Sequence, residues 1–190
     1  MPSAARRDVD VTRLLRDAEA GDSQARDQVI GAVYQELRRL ARRILAGDRA
    51  GHRVAPTELV HGAALKLMAQ DRVSARDRAH FLAYSGQVMR QVLIDEVRRE
   101  GAEKRGPTKV TLFSQIADEP ESDVDVETLH SALEKLAAVS PDHARLVELR
   151  YFSGLTIDEI AELDGVSAAT VKRNWRAARA WLHDALESGD

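Results

Sequence analysis

Lys172, Arg173, Arg176 and Arg179 fall within residues 167–181, a stretch that carries no acid. Cations at that density can donate to guanine acceptors or to phosphate oxygens, which is recognition chemistry rather than bond-making chemistry. Other chemistries lack candidates. Cysteine is absent, which excludes disulfides and thiolate metal sites. The six histidines, His52, His61, His80, His130, His143 and His183, show no metal-ligand spacing. Carboxylates are plentiful, but they fall on solvated helix faces, with no phosphate-binding glycine loop and no nucleophile–base pair. The sequence predicts a protein that is not an enzyme and uses no metal and no cofactor.

The cations belong to the run TIDEIAELDGVSAATVKRNWRAARAWL, which reads as two helices meeting across a short turn that contains Gly165. Thr156 to Glu159 forms a capping box that opens the first helix, and Ser167 caps the second. Val171, Trp175, Ala178 and Leu182 recur at helical spacing and predict one buried stripe. That stripe fixes the outward face as Ala168, Ala169, Lys172, Arg173, Arg176 and, further on, Arg179. Such a helix fits the DNA major groove: the small alanines allow close approach, and Ser167 with the free amides of the helix start can hold a phosphate. A merely solvated basic face is the plainer alternative; the capped preceding helix, the glycine turn and the missing acids favour DNA. Trp175 and Trp181 read as packing residues.

The net charge of −3 looks wrong for a DNA binder until it is divided along the chain. Residues 1–105 hold 20 basic against 15 acidic residues, residues 106–124 hold 1 against 4, and residues 125–190 hold 7 against 12. Local concentration governs nucleic-acid binding more than the total. Of the 190 residues, 44% are hydrophobic, 31% charged and 4% aromatic, a mixture that favours helices. The periodicity predicts an all-α fold of two helical domains, 1–105 and 125–190, joined by a flexible acidic linker at 106–124, with no strand. Helices are expected at about 9–20, from a cap at Ser23 to 46, after Pro56, at 76–99, at 125–138, after Ser140-Pro141, after Thr156, and from Ser167 to 186. No apolar run reaches the roughly 20 residues that cross a bilayer, and the N-terminus has no signal core. A cytoplasmic protein without membrane contact is expected.

The run FLAYSGQVMRQVLIDEVRR, Phe81–Arg99, resembles the segment of bacterial sigma factors that melts and reads the −10 promoter element. Paired aromatics, a mixed apolar–Arg patch and an Asp followed by two arginines correspond here to Phe81, Tyr84, Val88-Met89-Arg90-Gln91, Asp95 and Arg98-Arg99. Tyr84 stands where tryptophan is usual and Gln91 where asparagine is usual. With HARLVELRYFSGLTIDEIAELDGVSAATVKRNWRAARAWL, the resemblance spans almost the whole chain. It is to the sigma-70 family, extracytoplasmic-function (ECF) type, in an ECF-like subgroup with an APTELVH-type segment.

The resemblance implies a sigma-region-2-like bundle at 1–105 that binds core RNA polymerase and the −10 element, and a region-4-like four-helix domain at 125–190 that binds the −35 element. For the −10 element it implies Arg72, His80, Phe81, Tyr84, Gln87, Arg90, Gln91, Arg98 and Arg99, the loop 72–80 capturing a flipped base. For the −35 element it implies Ser167, Ala168, Ala169, Lys172, Arg173, Arg176 and Arg179. For polymerase it implies Thr57, Glu58, His61 and Lys66, and it places the linker near the active-site and RNA-exit channels. Many relatives carry an acidic cluster where this chain has Ala55-Pro56-Thr57-Glu58, and Gly62 and Ala64 also depart from the pattern. Phosphorylating Thr57 would add roughly −1.5 to −2 charge and restore the acidity; otherwise Thr57 serves as a helix cap. The expected partners are core RNA polymerase and promoter DNA, with an anti-sigma factor or a Ser/Thr kinase as candidate regulators. The rival readings are a free-standing helix-turn-helix regulator and a helical scaffold. The sequence leaves the arrangement of the two domains in the free chain open.

Overall fold

Eight helices and one short ribbon account for the residues that the computed structural model describes, 4–45, 54–69, 77–101, 109–112 and 122–188. The helices are α1 (Ala4–Glu19), α2 (Ser23–Ile44), α3 (Pro56–Met68), α4 (Arg78–Gly101), α5 (Val126–Val139), α6 (Pro141–Tyr151), α7 (Ile157–Asp164) and α8 (Ala168–Ser188). The class is all-α. Between α4 and α5, β1 (Lys109–Leu112) and β2 (Ser122–Asp125) pair antiparallel, Lys109 opposite Asp125 and Leu112 opposite Ser122. The sequence predicts no strand there. Val110 and Leu112 do alternate with polar neighbours, but a run of four residues is too short to stand out from a linker.

The helix starts follow from their capping chemistry. Asp22, not Ser23, caps α2, its Oδ1 accepting the Gln24 amide at 2.8 Å and the Ala25 amide at 3.1 Å. Asp125 does the same for α5 through the Thr128 amide at 3.1 Å. At α3 the cap position is Ala55, whose amide donates to the Glu58 carboxylate at 3.0 Å. Thr57 therefore sits inside the first turn, exposed, and does not cap it.

In the N-terminal half α1 packs on α2, α2 on α3 and α3 on α4. Leu59, Ala63 and Leu67 are the fully buried face of α3. Gly62 lets that helix approach α4: a Cβ there would lie 2.8 Å from Val92 Cγ1. In the C-terminal half α6 packs on α5 and α8, and α7 on α8. Helix α4 also packs on α5, α6 and α7, so one buried cluster runs from Val11 to Leu182 through both halves.

Trp175 anchors the C-terminal half. It is 1% exposed, with the Tyr151 ring centroid 5.5 Å away and the Arg150 guanidinium 5.4 Å from its own centroid. Arg150, itself buried, donates to the Leu155 carbonyl at 2.6 Å and so ties the end of α6 to the approach of α7. Burial pushes the Tyr151 hydroxyl up to about 12. Trp175→Ala should cost about 3–5 kcal/mol of unfolding free energy, read from urea denaturation, because the ring leaves a cavity that its neighbours cannot close.

Candidate nucleic-acid interface

The turn between α7 and α8 is built for a fixed angle. Thr156 and Glu159 exchange capping bonds: the Thr156 amide donates to Glu159 Oε2 at 2.8 Å, and the Glu159 amide to Thr156 Oγ1 at 3.2 Å. Gly165 ends α7 in the left-handed region at φ +65°, where a side chain would be strained. Ser167 then accepts the Thr170 amide at 3.1 Å, starting α8. Arg145 pins the end of α7 to α6 through Asp164 at 2.7 Å.

Helix α8 buries Val171, Trp175, Ala178 and Leu182, the stripe predicted from spacing. Lys172, Arg173 and Arg176 are exposed together on the opposite side, with Ala169 and Ser167 exposed and Ala168 half-buried at the helix start. Arg179 is half-buried, and desolvation lowers the pKa of its guanidinium. Ser167, Ala169, Lys172, Arg173 and Arg176 thus form one accessible cationic surface at a helix N-terminus, a shape that can enter a groove of duplex DNA.

Helix α4 distributes its candidates differently. Arg72 lies outside the described residues. Asp77 caps the helix, accepting the His80 amide at 2.9 Å, and the His80 ring Nδ1 lies 3.0 Å from its other oxygen. Burial alone would push the Asp77 carboxyl up, but the hydrogen bonds and charge of His80 bring it below its ordinary value. Phe81 is core; Tyr84 is half-buried against that core. Gln87, Gln91 and Arg98 share an exposed stripe. Gln91 donates to Asp95 at 2.9 Å, and Arg99 pairs with Glu96 at 2.5 Å. Arg90 turns toward the C-terminal half, where it meets Glu148 of α6 and both Glu134, at 3.3 Å, and His130, at 2.8 Å, of α5.

Along α3, Thr57, Glu58, His61 and Lys66 are all exposed. Lys66 is already engaged, bonding Asp95 of α4 at 2.7 Å, and this bond holds the Asp95 carboxyl below its usual range. Leu65, 54% exposed, and Met68, 44% exposed, extend the same outward face and were not singled out from sequence. Their signal was available: Thr57, His61, Leu65 and Met68 recur on the side opposite Leu59, Ala63 and Leu67.

The family model for ECF sigma factors matches residues 8–188. The chain belongs to the ECF sigma factor family. No curated protein matches it. Membership carries a role in promoter-directed transcription, with core RNA polymerase and promoter DNA as partners, and favours that role over a free-standing regulator or a scaffold. The family is not one of enzymes. Among the described residues, no helix is long and apolar enough to cross a membrane, and no group of histidines and acids could hold a metal ion.

In this sigma factor the contact between α4 and α5 contains a titratable member. His130 lies against Arg90 of α4, feels the charge of Arg98, and shares α5 with Glu127 and Glu134. Desolvation first, and the Arg90 charge second, lower its pKa below 6.5, against the opposing pull of Glu134. The neutral ring accepts from Arg90; the protonated ring repels it. The stability this supplies is complete above the ordinary value of 6.5 and is lost as pH falls through the lowered folded value. Urea denaturation on either side of that value should show stability falling on the acid side, and His130→Gln, which still accepts but does not titrate, should flatten the dependence.

Proposed function

We propose that residues 1–105 and 125–190 act as two modules on one promoter, joined by the acidic connector 106–124. The exposed face of α8 reads the −35 element as duplex. The α4 helix, through Tyr84, Gln87, Arg90, Gln91, Arg98 and Arg99 together with the preceding loop, opens and reads the −10 element. What carries the reading is the acid-free surface of Lys172, Arg173 and Arg176 beside the capped start of α8, in a chain whose family directs transcription initiation. A few cations bind duplex weakly and with strong salt dependence, so polymerase must hold both modules on one DNA. The outward face of α3, Thr57, Glu58 and His61 with apolar Leu65 and Met68, is the surface proposed for polymerase. Its exposed apolar end suits a protein partner better than a nucleic acid.

Arg173→Ala and Arg176→Ala should each remove about 1–3 kcal/mol of promoter binding, and together abolish promoter-specific run-off transcription with reconstituted polymerase. Wild-type transcription by the double variant would refute the assignment of α8 to promoter recognition.

Phosphorylation of Thr57 is proposed as a supplement to the single acid, Glu58, of this segment. The hydroxyl is exposed in the first turn of α3, where the helix dipole favours added negative charge. Thr57→Glu should then raise polymerase binding and promoter activity, and Thr57→Ala should lower activity in the host. Full activity of the alanine variant, with no gain from the glutamate, would exclude the switch.

A further inference from the structure

We propose that Asp95 is a positioning residue: held by Lys66 of α3, it fixes the amide of Gln91 so that α4 accepts adenine and refuses guanine. The inference rests on the −10 reading above and names the base that Gln91 would take. It starts from a three-residue chain of bonds across two helices. Lys66 donates from Nζ to Asp95 Oδ2 at 2.7 Å, and Gln91 donates from Nε2 to Asp95 Oδ1 at 2.9 Å. Both carboxylate oxygens are in use, one by each neighbour. All three residues are exposed, where long side chains ordinarily keep their rotamer freedom. Here two helices hold them.

The lock decides which way the amide faces. An unrestrained amide can turn end for end, offering oxygen or nitrogen in the same place. An ionised carboxylate accepts only, and the Lys66 bond keeps Asp95 ionised by drawing its carboxyl below the usual range. Gln91 must therefore turn Nε2, never Oε1, toward Asp95. One amide hydrogen is spent on that bond. The second lies beside Oε1, and among the described residues neither has a partner. Gln91 thus presents an acceptor and a donor side by side. Adenine offers the matching pair on its major-groove edge, an N6 donor and an N7 acceptor. Guanine offers O6 and N7, both acceptors, so its O6 meets Oε1 and neither is satisfied. A free amide escapes this by swinging its NH2 group toward guanine; the Asp95 bond removes that escape. The same device handles charge. A bare carboxylate beside DNA would repel phosphate, and Lys66, with the charge of Arg98, offsets it.

The plainer role for the pair is helix support, since Gln and Asp four residues apart stabilise a helix. Base preference separates the two roles. The test is run-off transcription by the full chain with core polymerase on templates randomised across the −10 element, with the transcribed templates sequenced. Gln91→Ala identifies the position that Gln91 controls, as the one whose base preference it abolishes. There the wild-type chain should favour adenine over guanine, on the strand facing the helix, by roughly 5- to 150-fold. Asp95→Ala should lose most of that preference while leaving other positions unchanged. Asp95→Glu, which keeps an acceptor within reach, should retain it. Circular dichroism with cooperative unfolding confirms that each variant folds. The lock is overturned if Asp95→Ala keeps the preference, or if it only lowers transcription from all templates alike, as lost helix support would. A Gln91-dependent preference for guanine overturns the assignment to adenine. If Gln91→Ala alters no position, the −10 reading of this helix face fails, and the inference falls with it.

Discussion

The close approach of the Phe152 carbonyl and the Ser153 hydroxyl to Gly86 is the constraint on which the arrangement of the molecule depends. Interiors are packed to near-crystalline density, so a contact of this kind is present or absent and does not slide. Because nothing projects from position 86, α4 packs on both halves at once within the one core. One side closes the N-terminal bundle with Val92 against Gly62, and the other receives α5, α6 and α7. The polar ties around it, Arg90 to Glu148 and Arg78 to Glu159, add direction more than strength. Burying charge costs solvation that the pairing only returns when the geometry is good.

That shared helix has a consequence for electrostatics. Arg90 is 14% exposed and its partner Glu148 18%, so this pair is screened far less by salt than the exposed cations of α8. The two surfaces therefore answer to different conditions. The interactions of the exposed Lys172, Arg173 and Arg176 are screened as ionic strength rises, whereas the α4 contact follows packing and the protonation of His130. A net charge of −3 conceals both, because Arg90 is half-buried against acids and the α8 cations stand exposed.

Much of the local structure was legible in the sequence because the forces that set it act between near neighbours. The capping box at Thr156, the Gly165 turn and the Val171, Trp175, Ala178, Leu182 stripe are each decided within one or two helical turns, and each stands where spacing put it. The outward face of α8 followed from the stripe without further information. Where two capping residues adjoin, the sequence was ambiguous: Asp22 and Ser23 are both good caps, and which one turns its oxygen to the free amides depends on how α1 delivers the chain. The β1–β2 ribbon was missed because each strand is short and its partner lies across residues 113–121, a pairing with no local signature.

Sequence by itself determined the helical class, the helix-turn-helix and the exposed cationic face of α8, since helix periodicity and capping are local properties of residue order. Tertiary structure alone decided that Lys66 is spent on Asp95, that Leu65 and Met68 stand outward, and that Arg90 faces the C-terminal half instead of solvent. These depend on which helix lies beside which. That choice is made by long-range packing around a glycine whose neighbours in space, Phe152 and Ser153, are more than sixty residues away along the chain.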